Sequence, residues 1–387
     1  MAQNSVLGKM GSADTRLCHP EVEGSPNDII ESRCGFRFAM PYNIVVKGMM
    51  KTKHKNIPIF IPHLGCPNDC AFCNQRRISG RTSFDPSMVE REIDEALATL
   101  PQGCQAEIAF FGGSFTGIDR GLMVRLLDMA EGYVADGRVD GIRLSTRPDY
   151  IDGEILSVLK RYTVKTVELG LQSLDDRVLS ACRRGHTARQ AEEACRMVKE
   201  AGFDLVGQMM TGLPAATGES EVMTAEGICA LGADGARIYP TVVLRDTALH
   251  GMLLDGRYQP PREEESVART ADVLEVFLQH DVPVLRIGLQ ASEGMTREHA
   301  VAGYHPAMGE LVEGEIYYRR MAEILEAQPE TAGKRVTFRI PRGALSCAIG
   351  QKGRNRKRLC EAFSLAGVRF EEENGMTEYH VVMESLC

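Results

Sequence analysis

Nowhere along this 387-residue chain do apolar residues run for the roughly 18–20 positions that a membrane span requires. The opening stretch, MAQNSVLGKMGSADTRLCHP, has no apolar signal-peptide core. The expectation is a cytoplasmic protein with no membrane partner. Positive charge is also in short supply: 45 Lys and Arg face 53 Asp and Glu, for a net charge of −8. The molecule as a whole is therefore not a polybasic nucleic-acid binder, although a total can hide a local basic patch. Most of the 12 cysteines stand alone in apolar or helical contexts. In a reducing compartment such thiols are small buried hydrophobes or metal ligands rather than disulfides. Hydrophobic content of 43% and charged content of 25% are ordinary for a globular protein. The length allows one large or two to three modest domains and a substantial core.

Residues 1–49 mix Gly, Ser, Pro, Asn and charges without sustained periodicity. They read either as a disordered leader or as the product of a mis-called start, with translation beginning at Met49 or Met50. From residue 57 to about 245, short apolar runs alternate with amphipathic patterns. The strand candidates are 57–63, 106–113, 141–148, 166–173, 205–213 and 235–243. The helix candidates are 87–100, 120–134, 152–162, 188–202 and 220–232. Periods near 2 and near 3.6 taking turns are the signature of repeated βα units on a parallel sheet. Six such units can close partly into a barrel, a (β/α)6 arrangement of the TIM-like kind, with its site at the C-terminal strand ends. Polar and glycine-rich residues cluster there: GCPND, GGSFTG and STRPD follow the first three strands. Further on, 262–280 reads as a helix, 282–290 as a strand and 305–328 as a long helix. The expected division is a core over 50–330 and a small module over 334–387.

The stretch HLGCPNDCAFCNQ places Cys66, Cys70 and Cys73 within eight positions, and no fourth cysteine follows at ligand spacing. A structural zinc site normally wants four protein ligands. A redox pair of Cys70 and Cys73 leaves Cys66 unexplained. Iron–sulfur cubanes are held by thiolates, and three of them leave one iron open for a small chelator.

The C-x3-C-x2-C spacing, with Phe72 just before the last cysteine, resembles the radical S-adenosylmethionine (SAM) enzymes. The resemblance implies a 4Fe–4S cluster on Cys66, Cys70 and Cys73, with SAM on the open iron. It also implies an electron donor such as a flavodoxin or ferredoxin. One-electron cleavage of SAM then gives methionine and a 5′-deoxyadenosyl radical that abstracts hydrogen. The same likeness assigns Gly112 and Gly113 to the methionyl amino group. Ser114 stands where the family often has an acid. Ser145 and Glu168 end the third and fourth strands as further cofactor contacts. Each has a plainer alternative. The glycine pair also suits a tight βα turn. Glu168, a carboxylate inside an apolar run, needs a partner whatever its role, and a salt bridge such as to Arg147 would serve. Met209, Met210 and Tyr239 suit core packing as well as a site.

The wording GCPNDCAFCNQ, FFGGSFT, LSTRPDYI, VELGLQSLDD and IYPTVVLRDTAL resembles the catalytic subunit of Elongator and its bacterial relatives, from about 57 to 325. GYHPAMGELVE (303–313) matches a segment after the barrel in bacterial members. The resemblance implies modification of RNA, specifically tRNA. The stretch after the barrel is too short for the acetyltransferase domain of the Elongator subunit, so full carboxymethylation is not expected of this chain alone. A radical SAM enzyme acting on a small metabolite is the alternative.

The last segment, 335–383, reads as strand, helix, GQKG loop, helix, strand, strand. A GxxG loop between two helices is the pattern of a KH-type module, which clamps a nucleic-acid backbone. Gly350, Gln351, Lys352 and Gly353 form that loop, with Arg354 and Lys357 beyond it as further RNA contacts. From Lys334 to Cys360 there are nine Lys or Arg and no Asp or Glu, a local footprint suited to phosphates. A solvated basic helix on a small α/β cap is the alternative.

Overall fold

The structure is a computed structural model that describes residues 54–62, 64–66, 70–74, 83–101, 103–289 and 299–385. The reading of residues 1–49 lies outside the described residues.

Seven strands form one parallel sheet: β1 (His54–Ile61), β2 (Gln105–Gly112), β3 (Gly141–Thr146), β4 (Val164–Gln172), β5 (Asp204–Thr211), β6 (Gly235–Pro240) and β8 (Val284–Ile287). Their spatial order is their chain order. Every crossover therefore steps the same way round, as in a barrel, whereas a doubly wound sheet reverses at a switch point. The sheet curls without closing, because β1 and β8 each pair on one side only. Six strands were expected in the curl, and the segment read as 282–290 supplies a seventh.

Period-2 alternation decides which residues face the helices. Ile57, Ile59, Ile108, Phe110, Ile142, Leu144, Val167, Leu169, Leu205, Met209 and Ile238 are buried on the outer face. They pack against helices α1 (Val89–Ala98), α2 (Arg120–Ala135), α3 (Gly153–Leu159), α5 (Ala188–Glu200), α6 (Gly218–Ala230) and α8 (Glu263–Gln279). Side chains accept from the first turn at Asp119 for α2, Asp152 for α3, and Thr187 and Thr217 for α5 and α6. These are the donors that a helix start leaves unsatisfied. Two short helices, α4 (Asp176–Ala181) and α7 (Ala248–Leu254), were not anticipated. With six or seven residues each, they carry too little periodicity to be read.

The run read as one strand over 235–243 is broken at Pro240. Thr241 there turns its N–H and its hydroxyl to the Thr211 carbonyl, at 2.8 and 2.7 Å. Strand β7 (Val243–Leu244) then pairs antiparallel with β9 (Ala300–Ala302).

Helix α9 (Met308–Glu326) contributes to two cores. Its Leu311, Val312 and Ile316 belong to the main core. Its Tyr317, Met321 and Leu325 belong to a second core with Val336, Phe338, Ile340 and Leu359. That core lies under β10 (Arg335–Pro341), parallel to β11 (Gly367–Glu373) and antiparallel to β12 (Val382–Ser385). Helices α10 (Leu345–Ile349) and α11 (Arg354–Ala362) flank the GQKG loop. Buried Asn355 fixes the junction. Its Nδ2 donates to Gly314 O at 2.7 Å, and lies 3.3 Å from both Cys347 O and Ala348 O. Asn355→Leu is expected to cost about 1–3 kcal/mol, the penalty for buried polar groups stripped of their partner. Urea unfolding measures it, and an unchanged midpoint would show that Asn355 does not hold α9 to the loop. No helix among the described residues is long and apolar enough to cross a membrane.

Candidate active site

The inner face of the curl is polar, and it opens into a cavity of about 330 Å³. Cys66, Cys70 and Cys73 all line it, together with Phe72, Gly112, Gly113, Ser145 and Glu168. The cysteine loop follows β1 and is clasped from two sides. Ala71 N donates to Cys182 O at 2.9 Å, and Ala71 O accepts from Leu249 N at 2.7 Å. Phe72 packs into the apolar clusters on both flanks, against residues such as Val178, Leu213 and Tyr258.

The glycine pair has a structural reason that stands without any ligand. A Cβ on Gly113 would lie 2.1 Å from Leu64 O, and one on Gly112 would lie 2.4 Å from Ile61 O. Gly112 also has φ +121°, a region that side chains disfavour. Gly113 N already donates to Ile61 O at 2.9 Å. The pair thus lets the end of β2 lie directly against the start of the cysteine loop. Ser114 does not line the cavity: it is 0% exposed. Its hydroxyl shares a hydrogen bond with the Thr146 hydroxyl at 2.7 Å and accepts from Arg147 N at 3.2 Å. It ties β2 to β3 from behind, one step removed from the position expected for it.

Glu168 is also 0% exposed, and its partner is not Arg147. Its Oε1 accepts from Arg143 Nη1 at 2.8 Å and Arg237 Nη2 at 3.0 Å. Its Oε2 accepts from Gln208 Nε2 and Arg237 Nε, both at 2.9 Å. Arg147 lies beyond the end of β3, and its Nε and Nη2 instead bind Asp149, both at 2.9 Å. Arg143 is inside the strand and on the inner face, so alternation brings it to Glu168. With four bonds made, the carboxylate holds the Arg143 and Arg237 guanidinium groups in place, and it lines the cavity as well.

Two residues that the sequence did not single out as site residues meet the cysteines. Arg184 Nη1 lies 3.3 Å from Cys70 Sγ and Arg147 Nη1 lies 3.8 Å from it. Both guanidinium groups are buried. Among the described residues Arg184 has no carboxylate partner, and its Nε has no hydrogen-bond partner. Burial pushes the Cys66 thiol up, while Arg184 and Arg147 pull it down. Next to them, burial and then the Arg184 charge push His186 down to about 4, which leaves its ring neutral at pH 7.

This donor set fits an anionic iron–sulfur cluster. A buried, unpaired guanidinium is costly unless negative charge sits beside it, and thiolates carrying a cluster supply that charge. Among the described residues, no three His, Cys, Asp or Glu are placed to hold a single metal ion. The three thiols line one cavity, open to a cluster that would take one iron on each.

A curled parallel sheet with a three-cysteine loop after its first strand and guanidinium groups behind that loop defines a class of iron–sulfur enzyme. The model of the radical SAM superfamily matches residues 60–226, and that of the radical SAM C-terminal domain matches residues 233–318. The chain belongs to the radical SAM superfamily, whose enzymes use a 4Fe–4S cluster and SAM. It is 27% identical over 265 residues to an uncharacterised protein of Methanocaldococcus jannaschii, covering 65% of this chain and 80% of that one. It is 28% identical over 251 residues to human Elongator complex protein 3, covering 57% of this chain and 46% of that one. The chain thus spans about half the length of the Elongator relatives it matches. The solved structure of archaeal Methanocaldococcus infernus Elp3 shares the fold, with a TM-score of 0.54 and 21% identity, over 70% of this chain and 63% of that one.

Proposed function

We propose that this radical SAM enzyme acts on RNA, with tRNA as the substrate class, and that residues 334–387 form a KH-like clamp for it. The observation that carries the reading is the GQKG loop and its attachment. Gly350, Lys352 and Gly353 all have positive φ, at 75°, 54° and 74°, and Gly353 N donates to Gly350 O at 2.8 Å. The loop thereby sits as a tight, exposed turn between two helices, with Lys352 at its tip. A second cavity of about 310 Å³ lies between this turn and the start of α9, lined by Glu310, Leu311 and Ser346 among others. Tyr304, just before α9, packs against the cluster of Val242, Leu244 and Ala300, and Val242 and Leu244 also line the first cavity. One helix therefore ties the backbone clamp to the reaction chamber. The resemblance to the Elongator catalytic subunit supports the choice of RNA.

In this reading Cys66, Cys70 and Cys73 hold the cluster, and Arg147 and Arg184 balance its charge. Gly112, Gly113 and Ser145 shape the wall against which SAM lies. Apolar Phe60, Phe111 and Met210 line the same cavity and exclude water from it. When bound and reduced by a flavodoxin- or ferredoxin-like donor, the cluster supplies the electron that converts SAM to methionine and a 5′-deoxyadenosyl radical.

Not every basic residue of the module is available to phosphates. Arg358 is paired with Glu315, Arg354 with Glu264 at 3.6 Å, and Arg339 with Glu373 and Glu384. Lys352 and Lys357 are exposed without an ion pair among the described residues. The Lys352→Asp, Lys357→Glu double variant is therefore expected to weaken tRNA binding and to flatten its salt dependence. The slope should fall by roughly 0.7 per lost contact if the clamped segment is single-stranded. Filter binding at several salt concentrations measures both. Unchanged affinity and slope would remove the clamp from the reading.

A further inference from the structure

On the inner face, charges of alternating sign step from strand to strand. Glu107 on β2 accepts from Arg143 Nε on β3 at 2.8 Å, Arg143 reaches Glu168 on β4, and Glu168 holds Arg237 on β6. The alternation fails at the last strand, where Arg286 on β8 stands directly opposite Arg237 in the register. Like charges at opposed positions repel, and the carboxylate that could offset both is already saturated. Arg286 spends its Nε on Gly288 O at 3.2 Å, and its terminal nitrogens have no carboxylate partner among the described residues. It lines the cavity together with Tyr239 and Arg237. Of the charged side chains lining the cavity, four are arginines and one is a glutamate.

We propose that Arg286 anchors an oxyanion, a carboxylate or phosphate group belonging to the molecule that reacts in the cavity. This rests on the cavity being the radical SAM site. A guanidinium fork offers two parallel donors to such a group, and the apolar wall of Val242, Leu244 and Leu289 strengthens the pairing by excluding water. The position is wrong for the carboxylate of SAM itself, which the family places at the open iron. The cysteine loop already has its own guanidinium groups, Arg147 and Arg184, within 3.8 Å of Cys70 Sγ, whereas Arg286 stands on β8 beside Arg237. The oxyanion therefore belongs to a second molecule, reaching the cavity from the β8 side.

The test uses the full chain with its cluster reconstituted anaerobically and SAM bound. Acetate and inorganic phosphate are titrated in by calorimetry at fixed ionic strength, with chloride as the reference anion. At least one of the two should bind saturably, and the stronger one tells whether the natural group is a carboxylate or a phosphate. Arg286→Gln should weaken that binding by roughly tenfold or more, and Arg286→Lys, which keeps the charge and loses the fork, should fall between. Equal binding in the wild type and Arg286→Gln, or no binding beyond chloride in the wild type, overturns the proposal. Titration of SAM into the same samples verifies that each variant retains its cavity. Failure of SAM to bind the wild-type holoprotein would count against the radical SAM site, whereas intact SAM binding with no effect of Arg286 counts against the anchor alone.

Discussion

Cys70→Ala should reduce 5′-deoxyadenosine formation to the level of a protein-free control. The assay is anaerobic reconstitution, then dithionite and SAM, with the product read by chromatography and the iron content measured alongside. Cys70 is the innermost of the three cysteines, 7% exposed, and it is the one that both buried arginines approach. Its loss removes a cluster ligand and also the negative charge that offsets Arg184. Iron content should therefore fall together with activity. Cys195→Ala is the matched control. That thiol sits in the main core on α5, where burial pushes it up to about 12, so it stays protonated and inert. Product formation by Cys70→Ala at the wild-type rate would sink the assignment of this loop to the cluster. Stimulation of the wild-type product by bulk tRNA supports the RNA reading, and indifference to tRNA would move the substrate to a small metabolite.

What could be read in advance follows from how local each signal is. The three cysteines sit in one contiguous loop, so their spacing was legible without a fold. The outer face of the sheet was legible for a similar reason, since apolar alternation repeats in each strand. The inner face is assembled from single polar residues spread over several strands. Each is the one charged or amide side chain in its run: Arg143 in GIRLST, Gln208 in LVGQMM, Arg237 in GARIYP and Arg286 in VLRI. That signal was applied to Glu168 and not to these four, although burial imposes the same demand for a partner on all of them. Arg184 carried still less signal, because it follows a short helix that the periodicity did not show. The GQKG loop was legible as a motif. Its coupling to the barrel through Gly314 and Asn355 was not, because that depends on a close helix crossing at which a Cβ on Gly314 would lie 3.0 Å from Cys347 O.

Glu168→Ala is the substitution expected to cost the most stability. The carboxylate is the hub of the inner face. Removing it leaves Arg143 with Glu107 but strips Arg237 of its only ion pair among the described residues, directly opposite the Arg286 guanidinium. Breaking a buried pair from one side typically costs about 3–5 kcal/mol, because the remaining charge stays buried without compensation. Urea unfolding of the cluster-free protein measures the loss, and added salt should restore little of it, since buried pairs are only weakly screened. Glu168→Gln keeps the shape and one acceptor and should cost less. The Glu168→Leu, Arg237→Met pair supplies the sharper comparison. Replacing both partners with apolar groups removes the stranded charge, so the double variant should be more stable than Glu168→Ala despite carrying one more change. The double variant would also lose the wall that faces Arg286, so regained stability without oxyanion binding would separate the ladder's part in folding from its part in the cavity. A loss below about 1 kcal/mol for Glu168→Ala, the range of exposed pairs, would mean that water reaches Arg237 from the cavity and takes the carboxylate's place.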